Sequence, residues 1–506
     1  MRFNTLKAKA AEIVNHEGAS AFSMTQELEL YTAVVTASLS DNFYEKGGER
    51  VNRIIELVAK VDTRFLAQLA VYTRERMYLR TIPMVLAVEL AKVHNGDNLV
   101  KNMITRVVGR ADEITELLAY YQMANKRNGT KKLNKLSKQV QKGLAEAFNK
   151  FDEYQFAKYN RDTVVSLRDA LFLVHPKAKD EAQQAIFTKI VNDTLQVPYT
   201  WEVELSKLGQ QSFASEKEKS QAVRSTWEEL ISSGKLGYMA LMRNLRNILQ
   251  AEVSSEHIQL VGKTLTSAAG VRKSKQLPFR FLAAYREIEQ VKSSYSGYIM
   301  ECLEKAIIIS AENIRGFDLH TKVLIASDVS GSMYSPLSKN SAIQCYDIGL
   351  VLSMLLRSRS KNVITGIFGE RWMTVNLPES NVLANVAKLR SMQGQVGYAT
   401  NGHLVINDLI NRKQVMDKVL FFTDLQMWDS RNGGDSLSAA WARYKKEVAP
   451  QAKLYLFDLM GYGQSPIRLQ QNDVYLLAGW SDKVFDVLSA IEDGSNALAE
   501  IQKIEV

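Results

Sequence analysis

From Thr25 to about Ile314 the apolar residues return every three or four positions, as in Leu28, Leu30, Tyr31, Val34 and Val35 or in Leu86, Leu90 and Val93. That spacing places them on one face of an α-helix. No alternating run of useful length interrupts it. Pro83, Pro176, Pro198 and Pro278 stand where a first helical turn or a connection would tolerate a residue without an N–H. Helical segments of roughly 10 to 15 residues joined by short polar links, with no strict sequence period, predict an irregular helical-repeat array rather than a compact bundle.

After His320 the pattern changes. Val323 to Ser327, Val363 to Phe368, Val419 to Thr423 and Leu454 to Phe457 are short β-prone runs separated by helical stretches. This alternation predicts a doubly wound, largely parallel sheet. The chain is therefore read as two regions, 1–320 all-helical and 321–506 α/β. Its 506 residues agree with that division, since single cores stop growing near roughly 250 to 300 residues.

Composition narrows the class. With 46% hydrophobic and 24% charged residues the chain is an ordinary folded protein. Cys302 and Cys345 lack metal or redox spacing and are expected to be buried small hydrophobes. No signal peptide is expected at the N-terminus, and no apolar run approaches the roughly 18 residues that span a bilayer. A cytoplasmic protein without a membrane partner is the expectation.

Charge is unevenly placed. Residues 321–506 hold 19 Lys+Arg and 18 Asp+Glu, so of the net +9 the first 320 residues carry +8. Within 122–161, ten basic residues face three acids. Lys131, Lys135, Lys138 and Lys142 are spaced to form one positive stripe on a helix, able to follow a phosphate backbone. A solvated helix face is the plain alternative. A second acid-free cluster, Lys263, Arg272, Lys273, Lys275 and Arg280, favours a long polyanion. His175 and Lys177 close an apolar helix whose polar members Arg168 and Asp169 share a side; a lone His is more often structural, but among cations it can stack on an unpaired base.

In the α/β region the polar motifs fall at the carboxyl ends of strands, where such sheets bind ligands. They are Asp328-Val-Ser330-Gly-Ser332, Gly397-Tyr-Ala-Thr400 and Thr423-Asp424. All donors are hard oxygens, which suits Mg²⁺ or another divalent cation with one position left for an acidic ligand. Ser330 stands where an aspartyl-phosphate phosphatase would need a second acid, and it lacks a nucleophile elbow. No enzyme is expected. Simple helix capping by Asp and Ser is the bland alternative.

Together these features resemble the Ro autoantigen family, in a bacterial or phage-type form, with a TROVE module and a von Willebrand factor A domain. The resemblance rests on Ser166-Leu-Arg-Asp-Ala-Leu-Phe-Leu-Val-His-Pro-Lys177, Thr200-Trp-Glu, Met239-Ala-Leu-Met-Arg-Asn-Leu, Leu277-Pro-Phe and the three metal segments. It implies a ring of HEAT-like repeats that captures single-stranded 3′ ends of misfolded or small noncoding RNAs and holds Y-like RNA outside. It further implies a role in RNA quality control, processing or repair beside an exoribonuclease or RNA-repair enzyme. Lys158, Arg161 and His175 match positions that contact RNA in the family, and Lys138 and Lys142 fall on the Y-RNA side. Asp328, Ser330, Ser332, Thr400 and Asp424 match the metal-ion-dependent adhesion site, although Gly397-Tyr-Ala-Thr400 replaces the usual Gly-Gly-Thr. The competing expectation is a protein-interaction scaffold whose metal site binds an acidic partner residue.

Overall fold

The computed structural model describes residues 12–37, 44–126, 136–311, 314, 317, 320–338, 341–428 and 435–506. Lys131 and Lys135 lie outside the described residues. The chain forms two compact units, and neither is one continuous stretch. One comprises Met1–Leu57, Thr266–Gln290 and Gly297–Glu500; the other comprises Val58–Leu265, Val291–Ser296 and Ile501–Val506.

The first unit is built on a sheet. An N-terminal hairpin, β1 (Glu12–Val14) and β2 (Ser20–Ser23), precedes strands β3 (Lys322–Asp328), β4 (Asn362–Phe368), β5 (Trp372–Thr374), β6 (Lys418–Thr423), β7 (Lys453–Asp458), β8 (Gln464–Ser465) and β9 (Val474–Ala478). Six of them form a sheet in the order β5-β4-β3-β6-β7-β9. All neighbours are parallel except β5, which returns antiparallel along β4. The four runs read from sequence are β3, β4, β6 and β7; they are apolar almost throughout because helices cover both faces. Chain order reverses at β3, which has β4 on one side and β6 on the other, so the carboxyl ends of β3 and β6 flank a crevice.

The hairpin departs from the all-helical expectation for residues 1–320. It pairs through β2 with β8, registering Phe22 with Ser465. Two strands alone are marginal in water, and this pair is stabilised by joining the edge of another segment. Helices from the N-terminal region also belong to this unit. Helix Pro278–Glu289 sends Arg286 to Asp347 in a two-pronged ion pair at 2.5 and 2.7 Å, with Asp347 fully buried. Glu304, on helix Ser296–Ser310, accepts from the Leu383 and Ala384 N–H groups at the start of helix Val382–Ser391. The change of pattern at His320 thus marks a change of element type, while packing groups segments from both sides of it.

The second unit is helical throughout its described elements, and its helices start at recognisable caps. Asp152 with Gln155, and Ser166 with Asp169, form capping boxes, and Asp62, Asp180, Thr200 and Ser215 each accept from a first-turn N–H. Gly143 lets helix Lys138–Phe148 press against helix Leu99–Val107, since a Cβ there would stand 2.8 Å from the Lys101 carbonyl oxygen. The C-terminal residues complete this unit: the Gln68 side-chain amide donates to the Gln502 and Ile504 carbonyls at 2.8 and 2.9 Å. Cys302 and Cys345 are buried and free, as expected. Among the described residues no helix is long and apolar enough to cross a membrane.

Candidate metal centre and nucleic-acid interface

The three polar segments of the α/β unit do converge. Asp328 ends β3, and its carboxylate is held twice: Oδ1 accepts the Ser330 N–H at 2.8 Å and Oδ2 accepts the Thr423 hydroxyl at 2.6 Å. Ser330 precedes the short 3₁₀ turn Gly331–Tyr334, yet its hydroxyl makes no capping bond there. It lies 3.4 Å from the Ser332 hydroxyl instead, which removes the simple capping explanation for Ser330. Asp424, just past β6, accepts the Gln426 N–H on Oδ1, while its Oδ2 is buried without a hydrogen-bond partner.

Thr400 is buried in a loop tied to both other segments. The Gly331 N–H donates to the Tyr398 carbonyl at 2.8 Å and the Trp428 N–H to the Thr400 carbonyl at 3.0 Å. The unusual Gly397-Tyr-Ala-Thr400 sequence has a local reason at its first position. Gly397 adopts φ +73°, and a Cβ there would meet the Glu370 carboxyl carbon at 2.6 Å. Tyr398 is exposed at the rim, its ring edge-on to Tyr334 at 5.9 Å.

Electrostatics describe what this cluster lacks. Burial, then the neighbouring Asp328 charge, pushes the Asp424 carboxyl well above the usual carboxylate range. Two buried carboxylates side by side repel unless a proton or a cation intervenes. Among the described residues no three His, Cys, Asp or Glu side chains gather to hold a metal. The centre has only two carboxylates and otherwise hydroxyls, a hard-oxygen set that fits a Mg²⁺-like ion retaining water. The orphaned Asp424 oxygen supports that fit.

Sequence reading missed the N-terminal contribution to this end of the sheet. Asn15 donates from Nδ2 to the Met427 carbonyl at 2.7 Å, and the His16 N–H donates to the Gln426 side-chain oxygen at 3.0 Å. The rings of His16, Tyr44 and Tyr462 pack together at 5.1 to 5.4 Å. Arg50, 1% exposed, pairs with Glu45 at 2.6 Å and lies over the Tyr462 ring. Nothing in the sequence around these residues marks them.

Asp458, at the end of β7, has one oxygen bonded by the Met460 and Gly461 N–H groups and the other unpartnered. Burial pushes its carboxyl up to about 6. A raised carboxyl binds its proton more tightly in the folded chain, so its stabilising effect is present at low pH and lost as pH rises through about 6. Relative to Asp458→Asn, wild-type unfolding free energy should fall by about 3 kcal/mol between pH 4 and 7, since each tenfold difference in proton affinity between folded and unfolded chain is worth roughly 1.4 kcal/mol. Urea titrations across that range check it, and a constant difference between the two proteins would refute it.

On the helical unit, the basic candidates are exposed. Lys158 lies near the end of helix Glu153–Tyr159, Arg161 follows it, and Arg168 is on helix Leu167–Val174. His175 caps that helix in the left-handed conformation, at φ +51°, and Lys177 follows. Lys138 and Lys142 share the exposed face of helix Lys138–Phe148, so two of the four stripe residues are placed and the other two lie outside the described residues. Gln141 on that helix donates to the Leu173 carbonyl, fixing it beside the His175 helix. Lys158 also lines a shallow pocket with Tyr154, Tyr199, Trp201 and Lys235. The Lys235 ammonium stands 5.3 Å over the Tyr199 ring. Of these neighbours only Trp201 carries a sequence signal, as part of Thr200-Trp-Glu.

Residues 13–222 and 194–296 match the model of the TROVE domain, and residues 322–491 match that of the Ro60 vWA domain. The chain belongs to the Ro family. The crystal structure of the Deinococcus radiodurans RO (RSR) protein aligns with 92% of this Ro-family chain and 100% of its own, with a TM-score of 0.58 at 17% identity, which shows a shared fold. Telomerase protein component 1 of Rattus norvegicus is 23% identical over 321 residues. The Mus musculus protein of that name is 40% identical over 99 residues. The Ro-family chain spans 12% and 3% of the length of those two relatives.

Proposed function

We propose that this Ro-family chain is a non-enzymatic RNA-binding protein that captures single-stranded 3′ ends of small or misfolded RNAs and carries a Y-like RNA on its Lys138–Lys142 face. The observation that carries the reading is the run of exposed cations Lys158, Arg161, Arg168 and Lys177, interleaved with exposed Tyr154, Phe172 and His175, inside the TROVE match. Cations neutralise phosphates without reading sequence, and aromatic faces stack on unpaired bases. Such a surface suits RNA quality control, processing or repair, with an exoribonuclease or repair enzyme acting on the RNA it presents. Asp328, Ser330, Ser332, Thr400 and Asp424 would hold a Mg²⁺-like ion, which supplies a Lewis-acidic anchor for a carboxylate; their own task is to position and neutralise it. That centre is the basis for an additional protein contact rather than for RNA binding.

The test is a comparison of one RNA hairpin with and without a single-stranded 3′ tail, by fluorescence anisotropy at fixed salt. The tailed RNA should bind at least about tenfold more tightly, since stacking contributes about 1–3 kcal/mol per base. Equal affinities would remove end capture.

A further inference from the structure

Three aromatic side chains and two lysines of the helical unit share one shallow pocket. Tyr154 and Lys158 come from helix Glu153–Tyr159, Tyr199 and Trp201 from the start of helix Trp201–Gly209, and Lys235 from the link after helix Glu216–Ser232. Between the two rings of the second segment, the Thr200 hydroxyl accepts the Val203 N–H at 3.3 Å and caps the helix. Trp201 lies nearly parallel to the buried Trp227, with ring centres 6.3 Å apart and 19° between the planes. The Tyr199 hydroxyl reaches Glu229 at 3.5 Å. Rings held in this way lose little freedom when a ligand stacks on them.

Both lysines are exposed, and among the described residues neither ammonium pairs with a carboxylate. Each stands against a ring instead: Lys235 is 5.3 Å over Tyr199 and Lys158 is 5.9 Å over Tyr154. Glu202, the acid in the lining, is exposed and pairs with neither. A cation resting on an exposed ring is worth only about two- to fivefold in an equilibrium constant. A nucleobase stacked on the same ring is worth about 5- to 150-fold. A base can therefore take the ring face and release the ammonium to the phosphate beside it. The pocket encloses only about 20 Å³, too little to swallow a base, so the base must lie across the rings. Face-on contact of this kind tolerates any base, because every base has a π-face.

We infer that Tyr154, Tyr199 and Trp201, with Lys158 and Lys235, form a stacking subsite for one unpaired nucleotide of a single-stranded RNA. The inference rests on reading the Lys158 to Lys177 run as an RNA surface, and it extends that surface in one direction. Lys158 belongs to both, so a strand lying along the run continues across Lys158 toward Lys235. Tyr199, Trp201 and Lys235 gain a role that charge spacing could not assign, because Lys235 stands apart in sequence from both basic clusters. The subsite grips a nucleotide without reading its edge, which suits a surface that must accept the ends of unlike RNAs.

The probe is an RNA hairpin with a single-stranded 3′ tail, bound to the full chain, in which one abasic nucleotide is moved along the tail. Wild type should show one tail position where losing the base weakens binding about fivefold or more, the scale of one stacked base. Tyr199→Leu should weaken the intact RNA by a similar factor and should erase the sensitivity of that position alone. Lys235→Ala, at an exposed site where folding is not at risk, should flatten the slope of log K against log salt by about 0.7, and Lys235→Arg should restore it. Tyr199→Leu that lowers affinity while every abasic position costs what it costs in wild type would show a structural role and overturn the subsite. Tyr199→Leu and Lys235→Ala that bind like wild type, beside a Lys158→Ala that binds less well, would overturn the subsite and leave the RNA surface standing. Wild type that binds the hairpin equally with and without its tail would overturn both.

Discussion

Replacing Lys158, Arg161, Arg168 and Lys177 together by alanine should lower affinity for single-stranded RNA by two to three orders of magnitude near 0.1 M salt, and should flatten its salt dependence. All four side chains are exposed, so none supports the core. Each that neutralises a phosphate releases a condensed counterion and contributes about −0.7 to the slope of log K against log salt for a single strand; four would contribute about −3. The slope is the sharper observable, because a folding defect lowers the bound fraction without changing it. Loss of affinity with an unchanged slope would mean that these residues do not meet phosphates. Substituting His175 alone should leave the slope near its wild-type value if the imidazole stacks on a base.

The second large effect is expected on stability. Arg50 is fully enclosed, pairing with Glu45 at 2.6 Å and donating to the Thr36 hydroxyl at 3.2 Å. It also lies among buried acids, and its charge draws the Asp458 carboxyl partway back toward its ordinary range. Arg50→Ala would leave Glu45 paired with Arg53 alone, at 2.8 Å, and would remove the positive charge that opposes the burial of the Asp458 carboxyl. Removing one partner of a buried pair typically costs about 3–5 kcal/mol when the remaining charge is left uncompensated, and since Arg53 still holds Glu45 the loss here is expected near the lower end, about 3 kcal/mol. Urea denaturation should show that loss, and Arg50→Lys, which keeps the charge without the planar fork, should recover part of it. A loss below about 1 kcal/mol would show that water reaches the site and replaces the guanidinium.

What was legible in the sequence follows from how local each signal is. Strands β3, β4, β6 and β7 could be read because a parallel strand covered on both faces is an apolar run whatever its partners. Asp328, Ser330, Ser332 and Asp424 could be read because each directly follows such a run, and sheet topology brings those ends together. The stripe from Lys131 to Lys142 rested on helical spacing, and the structure describes only its second half as a helix. The hairpin and its neighbours gave no such signal. Asn15 and Met427 are 412 residues apart, so the value of Asn15 depends wholly on where the chain folds back. Arg50 reads as an ordinary charged position in an amphipathic helix, since burial beside Glu45 and Tyr462 is a property of packing rather than of spacing.

The interleaving of the two units bears on how the chain is made. Helices from Val58 to Leu265 emerge from the ribosome early, but the residues that receive the Gln68 amide, Gln502 and Ile504, are synthesised 434 and 436 residues after it. The Gln68 contacts of the early unit can form only once they arrive. Removing only Ile501–Val506 should therefore loosen a helical region that lies more than 200 residues back along the chain.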